Sequence, residues 1–208
     1  MRETWFEAAA VARGLLASPE TAARWDAPSA LAEFSVRGLA GHLARAILVV
    51  ESYLDAPPPS GPPIPAAAYF PAVLTTRDLS DPLHVGIRAR GEALAADGPA
   101  ALVAAVDAVL ARLRTRLPAE PRDRLVAVTG GHVMRLDDYL VTRMVEITVH
   151  TDDLAVSLGL ATPDWPAAVS DAVVGHLLAA ARRKHGDLAV IRAFTRRERD
   201  SVDALRVF

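Results

Sequence analysis

A repeating pattern of apolar and polar residues runs through residues 137–159, which read DDYLVTRMVEITVHTDDLAVSLG. Apolar side chains recur there every three or four residues, and this period predicts an amphipathic helix with one buried face. Asp137 or Asp138 is expected to cap the start of the helix, and Gly159 is expected to end it in a left-handed conformation. The apolar positions are Leu140, Met144, Ile147, Leu154 and Leu158.

A second strongly apolar helix is predicted over residues 35–53, with Ser35 as its N-cap. Gly38 and Gly41 each lower its intrinsic stability by about 1 kcal/mol against alanine, and we expect them to admit a closely packed neighbouring helix. His42 belongs to the buried stripe of this helix. A histidine on such a face is more often a satisfied core residue than a ligand. The rest of the stripe is Leu39, Leu43, Ala46, Ile47 and Val50.

Helical spacing also predicts helices over residues 4–17, 78–97 and 99–117, the middle one broken near Pro82. Between the second and third helices, residues 55–71 contain seven prolines, which exclude a regular helix or a central strand. We expect an irregular surface crossover there, with a role in covering a pocket as the secondary alternative.

The remaining segments are mixed in character. Residues 125–129 are expected to form a short strand followed by a Gly-Gly turn. After residue 160, residues 167–184 predict a helix, and residues 187–194 and 204–208 predict two short strands. A capping box at residues 195–198 is expected to open a helical turn between these strands.

Composition narrows the classes of function. The chain has 51% hydrophobic residues, mostly small and aliphatic, which favours closely packed helices. A formal net charge of −2 gives no basic surface for nucleic acid, and no apolar run reaches membrane-spanning length. Without a signal peptide pattern, we expect a cytoplasmic protein, either a monomer or a homodimer. The chain contains no cysteine, so any thiol chemistry needs a small-molecule thiol.

Glu146 and His150 are the first candidates for a functional site. Residues four apart lie on one face of a helix, where both side chains can bind the same metal ion. A solvated or hydrogen-bonded Glu–His pair is the common alternative. With His42 they make the three-ligand set of a catalytic zinc, which leaves a fourth position open. Asp153 shares their face and could orient a ligand histidine or act as a weak fourth ligand. His132, after the Gly-Gly turn, is a less favoured ligand.

The motifs SVRGLAGHL at residues 35–43 and RMVEITVHTDDL at residues 143–154 resemble the mycothiol-dependent maleylpyruvate isomerase family. The resemblance covers about three-quarters of the chain and continues more loosely to its end. It implies that His42, Glu146 and His150 hold a divalent metal ion, usually taken as zinc.

The same resemblance implies a mainly α fold. Residues 1–160 are expected to form a DinB-like metal-binding four-helix bundle. Residues 161–208 are expected to form a short helix–strand–turn–strand tail, an α/β appendage that resembles a reduced carboxy-terminal domain of fuller family members.

The resemblance also implies a reaction. In this family mycothiol is the thiol cofactor, and its addition to the double bond of maleylpyruvate allows rotation to fumarylpyruvate. The expected function is therefore a mycothiol-using isomerase or thiol transferase that acts on a small electrophile. The alternative is a DinB-like metal-binding bundle that acts as a hydrolase, or as a structural or binding protein.

Four further side chains are candidates for the site. Arg143 could pair with a carboxylate or lie on the surface, and it is a candidate to contact a cofactor. Arg196 and Arg197 could meet an anionic substrate, although exposed arginines on a polar turn are commoner. Trp5 could face the pocket, but we expect it in the core.

Overall fold

The computed structural model describes residues 1–74, 76, 78–195 and 202–207. Within these residues the predicted class, mainly α with a small β component, is confirmed. The helices are α1 (Arg2–Leu16), α2 (Pro19–Ala23), α3 (Val36–Asp55), α4 (Tyr69–Val73), α5 (Pro82–Leu94), α6 (Pro99–Ala119), α7 (Leu136–Leu158), α8 (Ala167–His185) and α9 (Asp187–Thr195). The strands are β1 (Leu125–Val128) and β2 (His132–Arg135).

Four long helices build the bundle. Helix α7 packs against both α1 and α3, and α6 packs against the same two helices. The prediction that the helix carrying Glu146 lies beside the helix carrying His42 is therefore confirmed. Trp5 is fully buried in the core, as expected, where its ring packs edge-on against Phe6 at 5.1 Å. The boundary at residue 160 stays a prediction.

The two site-bearing helices begin in different ways. Ser35 caps α3 as predicted, because its Oγ accepts a hydrogen bond from the backbone N–H of Gly38 at 2.9 Å. The predicted Asp137 or Asp138 cap of α7 is wrong, since the N-cap is Arg135 and makes no side-chain capping bond. The two aspartates lie in the first turn instead, where negative charge favours the helix dipole. At the other end Gly159 adopts the predicted left-handed conformation, with φ 73°.

Helices α3 and α5 touch backbone to backbone beside His42. A Cβ atom added at Gly41 would lie 2.0 Å from the carbonyl oxygen of Gly91, and one added at Gly91 would lie 2.4 Å from the carbonyl oxygen of Gly38. The expectation that glycines of α3 admit a close neighbour is confirmed. This contact fixes how near α5 comes to the site.

The proline-rich crossover is irregular and largely exposed between Ala56 and Pro65, as predicted. Its end differs from the expectation, because Tyr69–Val73 forms the short helix α4 and buries Tyr69 and Phe70. The backbone N–H of Ile64 donates to the carbonyl of Val133 in β2 at 2.8 Å. The end of the crossover is therefore packed against the bundle.

The predicted strand near residues 125–129 is confirmed as β1, which pairs antiparallel with β2. Val126 lies opposite Met134, and both side chains are fully buried. Gly130 and Gly131 have φ values of 81° and 75° in the connection, which glycine adopts without steric cost. Helix α7 follows β2 directly, so the hairpin sets where that helix begins.

The tail differs from its prediction. Residues 187–194 were expected to form a strand, but Asp187–Thr195 is helix α9, which packs against α8 through the buried Val190. A short apolar run is compatible with either a helix or a strand, and here packing against α8 selects the helix. The strand expected at 204–208 is also wrong for the described residues, since Val202–Leu205 forms a 3₁₀ turn. The capping box at 195–198 lies almost wholly outside them.

No single helix within the described ranges is long and apolar enough to cross a membrane. Helices α5 and α6 meet the length and composition only as a pair, and that pair is bent by 94° at its break.

The glycine contact gives a test of the fold. Gly91→Ala should lower the free energy of unfolding by about 1–3 kcal/mol, because the new methyl group overlaps the backbone of α3. Gly14→Ala is the matched control: Gly14 is helical and exposed with open space around it, so alanine should raise stability by about 0.5–1 kcal/mol. Urea unfolding measures both. Equal stabilisation by the two substitutions would contradict the close contact.

Candidate metal centre

Three side chains from two helices converge at one point of the bundle. His42 comes from α3, and Glu146 and His150 come from successive turns of α7. One carboxylate oxygen of Glu146, Oε2, lies 3.5 Å from Nε2 of His42 and 3.3 Å from Nε2 of His150. The structure thus brings together the three residues singled out in the sequence.

The spacing of these atoms fits a divalent ion. One ligand atom from each of the three residues lies within 4.8 Å of the other two. Tetrahedral zinc with bonds near 2.0–2.1 Å places neighbouring ligand atoms about 3.3 Å apart. The two Glu–His distances of 3.5 and 3.3 Å already lie close to this value. His132 does not belong to this group of close ligand atoms among the described residues.

Glu146 is ionised in this setting. Burial favours the neutral acid, but the two imidazoles and the nearby charge of Arg143 outweigh it and hold the pKa of Glu146 well below its usual range. His42 behaves in the opposite way, because burial, only partly offset by Glu146, lowers the pKa of its ring. An anionic carboxylate beside a neutral imidazole is the state that a metal ion requires.

His150 is held from both sides by carboxylates. Its Nδ1 lies 2.9 Å from Oδ2 of Asp153, and its Nε2 faces Glu146. Burial lowers the pKa of His150, but Asp153 and Glu146 together reverse this effect and raise the pKa to about 9. Asp153 therefore sits where a carboxylate fixes the orientation of a ligand histidine. Its role toward a metal stays a prediction.

His42 has no such support. Its Nδ1 is buried and finds no hydrogen-bond partner in the part of the chain that the structure describes. The ring is positioned by packing instead, with Phe34 at 6.0 Å and the ring of His150 at 4.6 Å between centroids. The two histidines thus differ in how firmly they are oriented.

A pocket of about 590 Å³ opens over His42 and Glu146. Its walls come from α3, α4, α5, the hairpin connection and α7, so the crossover contributes to the pocket as the secondary alternative proposed. Besides His42, Glu146 and Thr129, the lining consists of the aromatic residues Tyr69, Phe70 and Tyr139, the aliphatic residues Val73, Leu74, Leu83 and Ile87, and the arginines Arg45, Arg90 and Arg143.

Arg143 lies on the same face of α7, one turn before Glu146. The alternative that it is a surface arginine is wrong, because it is only 6% exposed. The expected carboxylate partner is also missing among the described residues, where Arg143 contacts Thr142 Oγ1 at 3.3 Å and two tyrosine rings. As a residue that contacts a cofactor it stays a prediction. Arg196 and Arg197 lie outside the described residues.

Sequence reasoning missed several pocket residues. Tyr139 could have been found, because Tyr139, Arg143, Glu146 and His150 follow each other at spacings of four, three and four on one helix face. Arg45 could have been found in the same way, three residues after His42. Tyr69 had no such signal, since its place depends on how the crossover folds back onto the bundle.

A comparison with known families bears on this site. A family model described as the mycothiol maleylpyruvate isomerase N-terminal domain matches residues 5–155. The chain belongs to this family. The matched range includes all three residues of the cluster and most of the four-helix bundle, and it ends before α8. No curated protein and no solved structure matches the chain.

The raised pKa of His150 predicts that metal binding competes with a proton. Near pH 7.5 the metal-free chain holds a protonated His150, which must become neutral to bind a metal ion. Zinc binding should therefore release about one proton, and its affinity should rise about tenfold per pH unit up to a pH near the pKa. Calorimetry in buffers of different ionisation enthalpy measures this release. Affinity that is constant between pH 6.5 and 8.5 would contradict the paired state of His150.

Proposed function

We propose that this chain is a metal-dependent enzyme that uses mycothiol to isomerise a small electrophile or to transfer the thiol to it. The observation that carries the proposal is the cluster of His42, Glu146 and His150, two members of which, His42 and Glu146, line a pocket. Membership of a family named for mycothiol and maleylpyruvate supports the choice of thiol and substrate.

The donor set supports a divalent ion, with zinc as the first choice. Two imidazole nitrogens and one carboxylate oxygen are the ligands of many catalytic zinc sites, which keep one position open. An ion bound there supplies positive charge that lowers the pKa of a thiol in the pocket.

The residues of the chain prepare this chemistry. Glu146 supplies a negative charge beside neutral His42, and this combination of ligands would favour the binding of a cation by both side chains. Asp153 accepts a hydrogen bond from Nδ1 of His150 and so directs Nε2 toward Glu146. Phe70, Tyr69 and the aliphatic side chains of α4 and α5 form the apolar walls that limit water at the base of the pocket.

The thiol has to come from outside the chain, because the sequence contains no cysteine. The pocket has the mixture of apolar walls and a few polar groups that is typical of small-molecule sites. Mycothiol is the first thiol to test because the family is named for it. Maleylpyruvate is the first substrate for the same reason.

Metal retention tests the ligand assignment. Glu146→Gln keeps the shape of the side chain and removes its charge, so zinc affinity should fall by more than the roughly 10–100-fold that loss of an outer hydrogen-bond partner costs. Asp153→Asn is the matched comparison and should show that smaller loss. Both proteins should be purified without a polyhistidine tag and analysed for zinc content and melting temperature. Wild-type zinc content in folded Glu146→Gln would contradict a ligand role.

Turnover tests the reaction. Zinc-loaded protein should convert maleylpyruvate only when mycothiol is present, and zinc-stripped protein should be inactive until zinc is restored. Glu146→Gln is the inactive control. Arg13→Gln should keep wild-type activity, because Arg13 pairs with Asp107 on the surface and neither residue lines the pocket. Activity that requires zinc but ignores the thiol would replace this proposal with a hydrolase.

A further inference from the structure

Arg143 is a buried cation that forms no ion pair with any described carboxylate, although the charge of Glu146 lies near it. It is 94% buried by area, and in the described part of the chain no carboxylate lies within ion-pair distance of its guanidinium. Several arginines on the outer surface of the bundle form ion pairs, as Arg112 does with Glu51 through two hydrogen bonds of 2.7 Å. A buried charge needs a partner, so the state of Arg143 calls for an explanation.

Two tyrosine rings hold the guanidinium in place. Its central carbon lies 4.8 Å from the ring centre of Tyr139 and 5.4 Å from that of Tyr69. Such contacts stabilise the charge through the ring faces but leave the in-plane N–H groups free for acceptors. Within the described residues only Nε donates a hydrogen bond, to the hydroxyl of Thr142 at 3.3 Å.

The free donors face the pocket. Arg143 lines the pocket, and none of its nitrogens is among the fully enclosed polar atoms that lack a partner. Its terminal N–H groups therefore reach the pocket space. Arg45 and Arg90 line the same pocket, and no carboxylate within the described ranges forms an ion pair with either. The only carboxylate in the lining is Glu146, which faces the two histidines.

We propose that Arg143 binds a carboxylate group of the substrate, with Arg45 at the pocket wall as a second contact. The planar guanidinium presents two parallel N–H groups to the two oxygens of a carboxylate, a geometry that lysine cannot reproduce. The substrate class is thus a small electrophile that carries a carboxylate near its reacting carbon. This inference rests on the proposed function and deepens it by naming the feature that the pocket selects.

Binding of maleate tests the proposal without any turnover. Maleate is a small unsaturated dicarboxylate, and dimethyl maleate has the same skeleton without charge. Calorimetric titration of the zinc-loaded full chain should show binding of maleate and at least tenfold weaker binding of the diester. Arg143→Gln should lower the affinity for maleate about 10–100-fold, because it removes charge-assisted hydrogen bonds, and should leave the affinity for the diester unchanged. Arg112→Gln is the control, outside the pocket, and should bind maleate as the wild type does.

Further measurements separate binding from folding. Arg143→Lys keeps the charge but should still lower the affinity for maleate at least fivefold, since the two parallel hydrogen bonds to the carboxylate are lost. Arg45→Gln changes a half-buried side chain and should lower the affinity for maleate about two- to fivefold. If Arg143→Gln does not fold, these two variants decide the question. A purely structural Arg143 would lower the melting temperature of its variants while maleate and diester affinities stayed in their wild-type ratio.

Three results would overturn the proposal. They are wild-type affinity for maleate in folded Arg143→Gln or Arg143→Lys, equal affinity of the wild type for maleate and the diester, and no maleate binding by the wild type at millimolar concentration. The same titrations on zinc-free protein should keep the dependence on Arg143, which separates this contact from binding to the metal. Because no thiol is added, failure of mycothiol-dependent turnover would leave the carboxylate contact standing, and loss of the contact would leave the thiol reaction standing.

Discussion

A partly buried carboxylate between two imidazoles is the interaction around which this bundle is arranged. Glu146 is placed where α7 crosses α3, within 3.5 Å of both His42 and His150. An anion that is largely removed from water is costly unless positive charge or hydrogen-bond donors surround it, and the described residues supply two histidines and the nearby Arg143 for this purpose. The same arrangement attracts a cation, so the feature that stabilises the fold locally also prepares the proposed metal centre.

The glycine contact between α3 and α5 determines the shape of the space above this carboxylate. Because Gly41 and Gly91 bring the two backbones together, Leu83, Ile87 and Arg90 of α5 form one wall of the pocket next to His42. Helix α4, at the end of the crossover, forms another wall of the pocket with Tyr69 and Phe70. The proposed carboxylate contact depends on this enclosure, since Tyr69 helps to bury the guanidinium of Arg143.

Much of this architecture could be read from the sequence, because long helices with a clear period leave little ambiguity. The spacing of Glu146 and His150 and the apolar face around His42 predicted the three side chains that meet in the structure. The state of Arg143 could not be predicted, since its burial depends on Tyr69 from a distant segment. The tail was misjudged for a related reason: the apolar run at 187–194 fits a helix or a strand, and contact with α8 selects the helix.

The most direct test of the account is a crystal structure of the chain, purified without a tag, with anomalous diffraction measured on both sides of the zinc absorption edge. The account predicts one zinc peak bonded to His42, Glu146 and His150 at about 2.0–2.2 Å, and no such peak for Glu146→Gln crystals grown with the same zinc. A wild-type crystal grown with zinc that shows no peak among these three side chains, or a peak held by other residues, would contradict it.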